Sequence, residues 1–139
     1  MRSRILFGLC LALLAAPAFA QPESCVGKAR IRGPLFDTTA GRLEPGLEVV
    51  LDDIARTILE RCGSKDIVIE GHAYELASPE LNRALAELRI QLVRHELAKR
   101  GIPIGRLMPV SLGDTRPIIP LDQAGAALEN RRITFRPLD

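Results

Sequence analysis

The stretch from residue 67 to residue 100 constrains the fold most, because it encodes a buried strand followed closely by a long helix. Residues 67–69, IVI, form a β-branched run typical of a strand inside a sheet. Residues 78–80, SPE, offer an N-cap serine, a proline for the first turn and an early carboxylate, which together predict a helix start. Gly101 ends the helix. The polar loop between the two elements therefore lies at the carboxyl end of the strand, where open α/β sheets usually place binding groups.

The predicted helix carries leucines at three- and four-residue steps. This spacing predicts that they form its buried face; they are Leu81, Leu85, Leu88 and Leu92. Asn82 and Arg89, seven residues apart, share a face displaced from that stripe. Arg89 offers a planar fork to a carboxylate, and the free N–H groups of a helix start also suit an anion. Two interpretations follow from these residues: a carboxylate-binding site, or a solvated polar face with an arginine packed along the helix.

The rest of the chain supplies further elements of the same kind. The patterns predict a first strand within residues 25–36, near a sheet edge because of Pro34, and a helix from Pro45 to about Arg61. A third strand at residues 107–112, a turn, a short helix within residues 122–128 and a half-exposed last strand at residues 130–136 follow. The predicted fold is α/β, a two-layer sandwich of order β-α-β-α-β-(α)-β with its helices on one face of a mixed sheet.

Residues 1–20 have the pattern of a secretory signal peptide. Two arginines precede an apolar run, and residues 18–20, AFA, form a small-residue cleavage site. An amino-terminal membrane anchor is the alternative, but it needs about twenty apolar residues. We expect cleavage after residue 20 and a single domain over residues 21–139, with no transmembrane segment in the mature chain.

Charge and composition argue against nucleic acid. Removing residues 1–20 lowers the basic count from 19 to 17, which equals the 17 acidic residues. Aromatic residues make up only 4% of the chain, so stacking platforms for single strands are scarce.

Two cysteines, Cys25 and Cys62, remain after the predicted cleavage. An even pair in an exported chain is most simply a disulfide, although two buried free thiols are an alternative. The bond would stabilise the fold by about 3–4 kcal/mol on the chain-entropy argument.

Residues 71–89, GHAYELASPELNRALAELR, resemble the signature of the OmpA-like carboxy-terminal domain, the family of peptidoglycan-associated lipoprotein and MotB. Gly71, His72, Asn82 and Arg89 fall on the family pattern, whereas Tyr74 replaces its aspartate. Further matches occur in residues 35–37 (LFD), 113–117 (GDTRP) and 130–133 (NRRI), so the resemblance spans nearly the whole mature chain.

The resemblance implies non-covalent binding of the diaminopimelate-type stem peptide of peptidoglycan. In the family, the aspartate takes the ammonium of diaminopimelate and the arginine takes its carboxylate. Arg89 would then bind the carboxylate, with Asn82 in support and Arg131 near the same pocket, while Asp37 and Thr39 lie in the loop beside it. Tyr74 supplies no charge, so binding is expected to weaken unless Glu75 turns inward and replaces the missing anion.

No pattern of an enzyme appears in the sequence, since no nucleophile lies beside a base at a recognisable spacing and no glycine-rich phosphate loop follows a strand. His72 is expected to be structural. We therefore expect a periplasmic protein of the cell wall or outer membrane, without catalytic residues, metal or cofactor. The alternative is a diverged domain that has lost the wall ligand and serves as a scaffold for an envelope protein.

Overall fold

The structure, a computed structural model, describes residues 24–33, 44–75 and 77–139. These residues form four strands and three α-helices in the predicted order. The elements are β1 (Arg30–Arg32), α1 (Pro45–Arg61), β2 (Ile67–His72), α2 (Pro79–Lys99), β3 (Leu107–Gly113), α3 (Ala126–Asn130) and β4 (Arg132–Pro137). The predicted signal peptide, Pro34 and the loop that contains Asp37 and Thr39 lie outside the described residues.

Local signals account for the ends of α2. The Ser78 hydroxyl accepts a hydrogen bond from the backbone N–H of Leu81 at 3.3 Å, which satisfies one of the free donors of the first turn. Pro79 occupies the first turn, where a missing N–H costs nothing. Gly101 follows the helix with a φ of 96°, a conformation that side-chain-bearing residues rarely adopt. The sequence prediction of this helix is confirmed.

The strands form one mixed sheet in the order β1-β4-β2-β3, so β1 lies at an edge as predicted. β4 runs antiparallel to both β1 and β2, whereas β2 and β3 are parallel. The pairing of β2 with β3 shifts between Gly71 and His72, which indicates a bulge at the carboxyl end of both strands. This sheet end carries the polar loop.

The two long helices pack on one face of the sheet, as predicted. Alternate residues of the inner strands, including Ile67, Ile69 and Ile133, belong to a single buried cluster with the apolar positions of α1 and α2. Gly71 continues that face and lets α2 approach closely, because a Cβ at this position would lie 2.7 Å from two side-chain carbons of Ile90. The glycine is therefore required by helix-to-strand packing.

The prediction that the leucine stripe forms the buried face of α2 is wrong. Leu81 is 56% exposed and Leu88 is 70% exposed. The buried positions of the helix are Asn82, Ala86, Arg89, Ile90, Val93, Glu96 and Leu97. The helix is thus rotated so that Asn82 and Arg89 turn inward toward partners from neighbouring loops, while Leu81 and Leu88 of the predicted stripe remain exposed.

The predicted disulfide joins Cys25 to Cys62, with their α-carbons 5.2 Å apart, inside the normal range for a disulfide. It ties the segment before β1 to the carboxyl end of α1. Arg100, at the end of α2, ties the two long helices together, since its Nε donates to Asp52 of α1 at 2.6 Å and its Nη1 donates to Glu96 of α2 at 3.0 Å.

Candidate ligand-binding site

Three segments meet where β2 ends. β2 and β3 are parallel, so their carboxyl ends lie at the same edge of the sheet. β4 is antiparallel to β2, and its first residue, Arg132, pairs with His72 at the end of β2. Residues 73–75, which follow β2, therefore lie beside both the turn after β3 and the start of β4.

Glu75 lies between two guanidinium groups at this edge. Nη2 of Arg89 donates a hydrogen bond to Oε1 of Glu75, and Nη1 of Arg131 lies 3.4 Å from the same oxygen. The other carboxylate oxygen accepts from the backbone N–H of Tyr74 at 2.8 Å. The Arg89 side chain is only 5% exposed and that of Glu75 is 20% exposed. Glu75 is thus turned inward, which is one of the two alternatives that the sequence left open for this residue.

The charge state of Glu75 follows from these contacts. Burial raises the pKa of its carboxyl group, but the hydrogen bond and charge of Arg89 lower it. The Tyr74 N–H and the charge of Arg131 act in the same direction, and the net pKa lies below the ordinary value of 4.5. Glu75 is therefore ionised at neutral pH, and with Arg89 and Arg131 it forms a group with one excess positive charge.

Tyr74 lies on the other side of the loop. It lines a cavity of about 310 Å³, open to solvent, together with Asn82, Asp114, Leu121 and Ala127. Asn82 Nδ2 donates to Asp114 Oδ2 at 3.0 Å, which fixes the amide toward the turn after β3. Tyr74 thus presents a neutral phenol where the family pattern has an aspartate.

The Tyr74 hydroxyl is buried against Arg132 and has no hydrogen bond of standard geometry within the described part of the chain. Burial raises the pKa of Tyr74, and the charge of Arg132 offsets part of that rise. Arg132 itself is held by the backbone carbonyls of Asn130 at 3.0 Å and Arg116 at 3.1 Å. The phenol therefore lies within the influence of the Arg132 charge, whereas Glu75 accepts a hydrogen bond from Arg89.

His72 is buried beneath this site. The side chain is 2% exposed, and its pKa is lowered to about 4, first by burial and then by the charge of Arg132. The charge of Arg116 also lowers the pKa of His72, whereas the charge of Glu70 raises it. The imidazole is neutral at pH 7, and its position behind the sheet end agrees with the structural role expected from the sequence.

Asn130 organises the loop before α3. The side chain is fully buried, and its Oδ1 accepts from the backbone N–H groups of Ile118 at 2.6 Å and Ile119 at 3.1 Å. Its Nδ2 donates to the Ile119 carbonyl at 2.9 Å. This residue ties the loop to the end of α3, and the loop and the helix each contribute a lining residue, Leu121 and Ala127, to the cavity beside Tyr74.

The predicted site residues Arg89, Asn82, Tyr74 and Arg131 all lie around the polar loop. Sequence reasoning missed Asp114 and Arg132. The sequence did hold a signal for Arg132. Side chains alternate along β4, so with Ile133 facing the core, Arg132 must face the opposite side of the sheet.

The described residues contain no group of three or more histidine, cysteine, aspartate or glutamate side chains placed to hold a metal ion. Nor does any helix among them combine the length and apolar character needed to cross a bilayer.

The family comparison and the curated relatives agree with each other. The OmpA family profile matches residues 35–131. The peptidoglycan-associated lipoprotein of Brucella melitensis is 39% identical over 74 residues, which cover 53% of this chain and 44% of that protein. The protein of the same name from Rhizobium meliloti is 33% identical over 97 residues, 70% of this chain and 54% of that protein. The chain spans about half the length of these curated relatives.

Solved structures share the fold. The peptidoglycan-associated lipoprotein from Burkholderia pseudomallei has a TM-score of 0.67 at 24% identity, over 85% of this chain and 97% of that one. The cell wall anchor of the T6SS from Pseudomonas aeruginosa has a TM-score of 0.64 at 25% identity, over 78% of each chain. The periplasmic domain of Helicobacter pylori MotB has a TM-score of 0.66 at 20% identity, over 78% and 73%.

The sheet order, the helices on one face and the polar loop after β2 define an α/β fold that the chain shares with these solved structures. The chain belongs to the OmpA family. Its relatives are named as peptidoglycan-associated lipoproteins, and the prediction that it is not an enzyme agrees with those names.

Proposed function

We propose that this protein is exported to the periplasm and binds the stem peptide of peptidoglycan without forming a covalent bond. The observation that carries the proposal is the buried Arg89 guanidinium at the middle of α2, at the family's carboxylate-binding position. Arg131 and Asn82 lie beside the same loop. A guanidinium pair with excess positive charge is suited to a carboxylate-bearing ligand.

The charge balance of the site sets the expected strength of binding. Tyr74 places a phenol where the family aspartate would receive the ammonium of diaminopimelate. The loss of one charge-assisted contact costs about 1–3 kcal/mol, or roughly ten- to hundredfold in affinity. We therefore expect weak, salt-sensitive binding, with little discrimination between diaminopimelate and lysine stem peptides.

The test is retention of the mature domain on purified sacculi at low and high salt. Wild type is expected to be retained at low salt, and Arg89→Ala is expected to lose retention. Arg56→Ala is the matched control, because Arg56 lies on α1 and its described ion pair is with exposed Asp53. Circular dichroism and thermal unfolding must show that both variants fold. Retention of Arg89→Ala equal to wild type would remove the proposal.

A second candidate function is that of a scaffold for an envelope protein, in a domain that no longer binds the wall. The observation that favours it is the engagement of Arg89 by Glu75, which leaves an internal carboxylate where the ligand would bind. Tyr74→Asp separates the two candidates. If this variant binds sacculi strongly and wild type does not bind at all, the natural protein has diverged from wall recognition.

Export and domain extent belong to the same proposal. Residues 1–20 are proposed to be removed and residues 21–139 to form the mature single domain. Mass spectrometry of the protein from a periplasmic extract tests both points, and a mature chain that retains residue 1 would contradict them.

A further inference from the structure

We propose that Glu75 is an internal competitor for the ligand carboxylate. In the unliganded domain it occupies the arginine clamp, defined here as the guanidinium groups of Arg89 and Arg131, and a ligand binds by displacing it. The identity of the ligand rests on the proposed function, whereas the competition itself rests on the geometry of these three side chains.

The contacts of Glu75 are those of a ligand carboxylate. One oxygen meets both guanidiniums of the clamp, and the other accepts the Tyr74 N–H within its own loop. Arg89 is more deeply buried than Glu75, at 5% against 20% exposure. Glu75 is therefore the more exposed member of the pair, and an external carboxylate at Nη2 of Arg89 would have to take over the contact that Glu75 makes.

The position of Arg131 does not depend on Glu75. A Cβ at Gly33 would lie 2.5 Å from Arg131 Nε and 2.8 Å from the Leu128 carbonyl, so the arginine side chain packs directly over the backbone at the end of β1. Its Nε has no hydrogen-bond partner within the ranges that the structure covers. If Glu75 leaves, Arg131 keeps its position, and the clamp loses the carboxylate that Arg89 and Arg131 share. The clamp then favours any carboxylate that enters.

This arrangement lowers the apparent affinity for every carboxylate. The apparent dissociation constant equals the intrinsic one divided by the fraction of molecules whose clamp is open. A clamp that is open in about one molecule in ten or fewer weakens binding by about tenfold or more, which corresponds to ~1.4 kcal/mol. Removing the negative charge of Glu75 should therefore tighten carboxylate binding by the same factor.

The first test uses acetate, a carboxylate without an ammonium group, with chloride replacing it at constant ionic strength. Glu75→Gln keeps the size of the side chain and removes its charge. We expect acetate to bind Glu75→Gln about tenfold or more tightly than wild type, measured by thermal shift and by chemical shift changes of the arginine side chains. Glu87→Gln is the matched control, since Glu87 lies on α2 and bonds Gln91 on the helix surface. Equal acetate affinity in wild type and Glu75→Gln would overturn the inference.

The second test uses a tripeptide that carries diaminopimelate. Tighter binding by Glu75→Gln than by wild type supports competition. Weaker binding by Glu75→Gln shows that Glu75 receives the ligand ammonium, which overturns the inference and leaves the proposed function intact. If acetate behaves as expected but neither the tripeptide nor sacculi bind any variant, the competition stands and the proposed function fails.

Should Glu75→Gln not fold, the wild-type protein gives the answer. The carboxyl carbon of Glu75 can be followed by NMR during titration with acetate. A shift that saturates with acetate occupancy is expected from displacement. An unchanged signal at saturation would exclude it.

Discussion

His72 should make the stability of this domain depend on pH well above the range in which its carboxylates titrate. Its pKa is lowered from 6.5 to about 4 in the folded protein, chiefly by burial. The unfolded chain therefore binds a proton at a higher pH than the folded chain does. Stability is complete above pH 6.5 and falls as the pH drops toward 4, because protonation favours the unfolded state.

The size of the effect follows from the separation of the two pKa values of His72. A difference of about 2.5 pH units corresponds to about 3 kcal/mol, since one unit is worth ~1.4 kcal/mol. About 2 kcal/mol of this stability is already lost at pH 5. At that pH His72 is protonated in the unfolded chain but mostly neutral in the folded protein. That is a large share of a stability of roughly 5–15 kcal/mol.

Urea unfolding at pH 7, 6 and 5 measures this loss directly. Wild type should lose about 2 kcal/mol over the interval, and His72→Gln should lose much less, whatever its stability at pH 7. His95→Gln is the control, because His95 is exposed on α2 and its replacement leaves the buried His72 in place. A wild-type slope retained in His72→Gln would show that another group is responsible and refute the reasoning.

Two further predictions concern packing and the cross-link. Gly71→Ala should destabilise the domain by about 1–3 kcal/mol because the new methyl would overlap Ile90. Gly105→Ala is the control, since no atom lies within 4 Å of the new methyl, and it should change the urea midpoint little. Equal urea midpoints for the two variants would contradict the packing argument. Reducing the Cys25–Cys62 bond should lower the free energy of unfolding by about 3–4 kcal/mol, measured with and without dithiothreitol. An unchanged unfolding curve after verified reduction would contradict it.

The elements of the fold could be predicted from the sequence because their signals are local. The β-branched run of β2, the serine and proline at the start of α2 and the glycine after it each act within a few residues. The disulfide between Cys25 and Cys62 could also be predicted, since the two cysteines that remain after the expected cleavage allow only one pair.

The orientation of α2 could not be predicted in the same way. Hydrophobic periodicity weighs each side chain by its own polarity, and four leucines outweigh one asparagine and one arginine. Asn82 and Arg89 are nevertheless buried, because Asp114 and Glu75 from two different loops provide their partners. Those partners depend on which loops meet at the end of the sheet, and periodicity along one helix carries no information about that.

The site shows the same limit at the level of single residues. The motif places Tyr74 and Glu75 next to each other, but which of them faces Arg89 depends on backbone torsions of an irregular loop. In the structure Glu75 turns to Arg89, and the phenol of Tyr74 turns to Arg132.

The disulfide also determines how the domain would carry a mechanical load. A pulling force applied before Cys25 passes through the sulfur–sulfur bond to Cys62 and then into β2, the strand that lies between β4 and β3. The edge strand β1 and helix α1 lie inside the closed loop and are bypassed by the force. With 37 positions separating the two cysteines, about 120 Å of chain is withheld from extension as long as the bond is intact. In an oxidising compartment the domain should therefore resist tension through its central strands, and only reduction would transfer the load to the weakly paired edge.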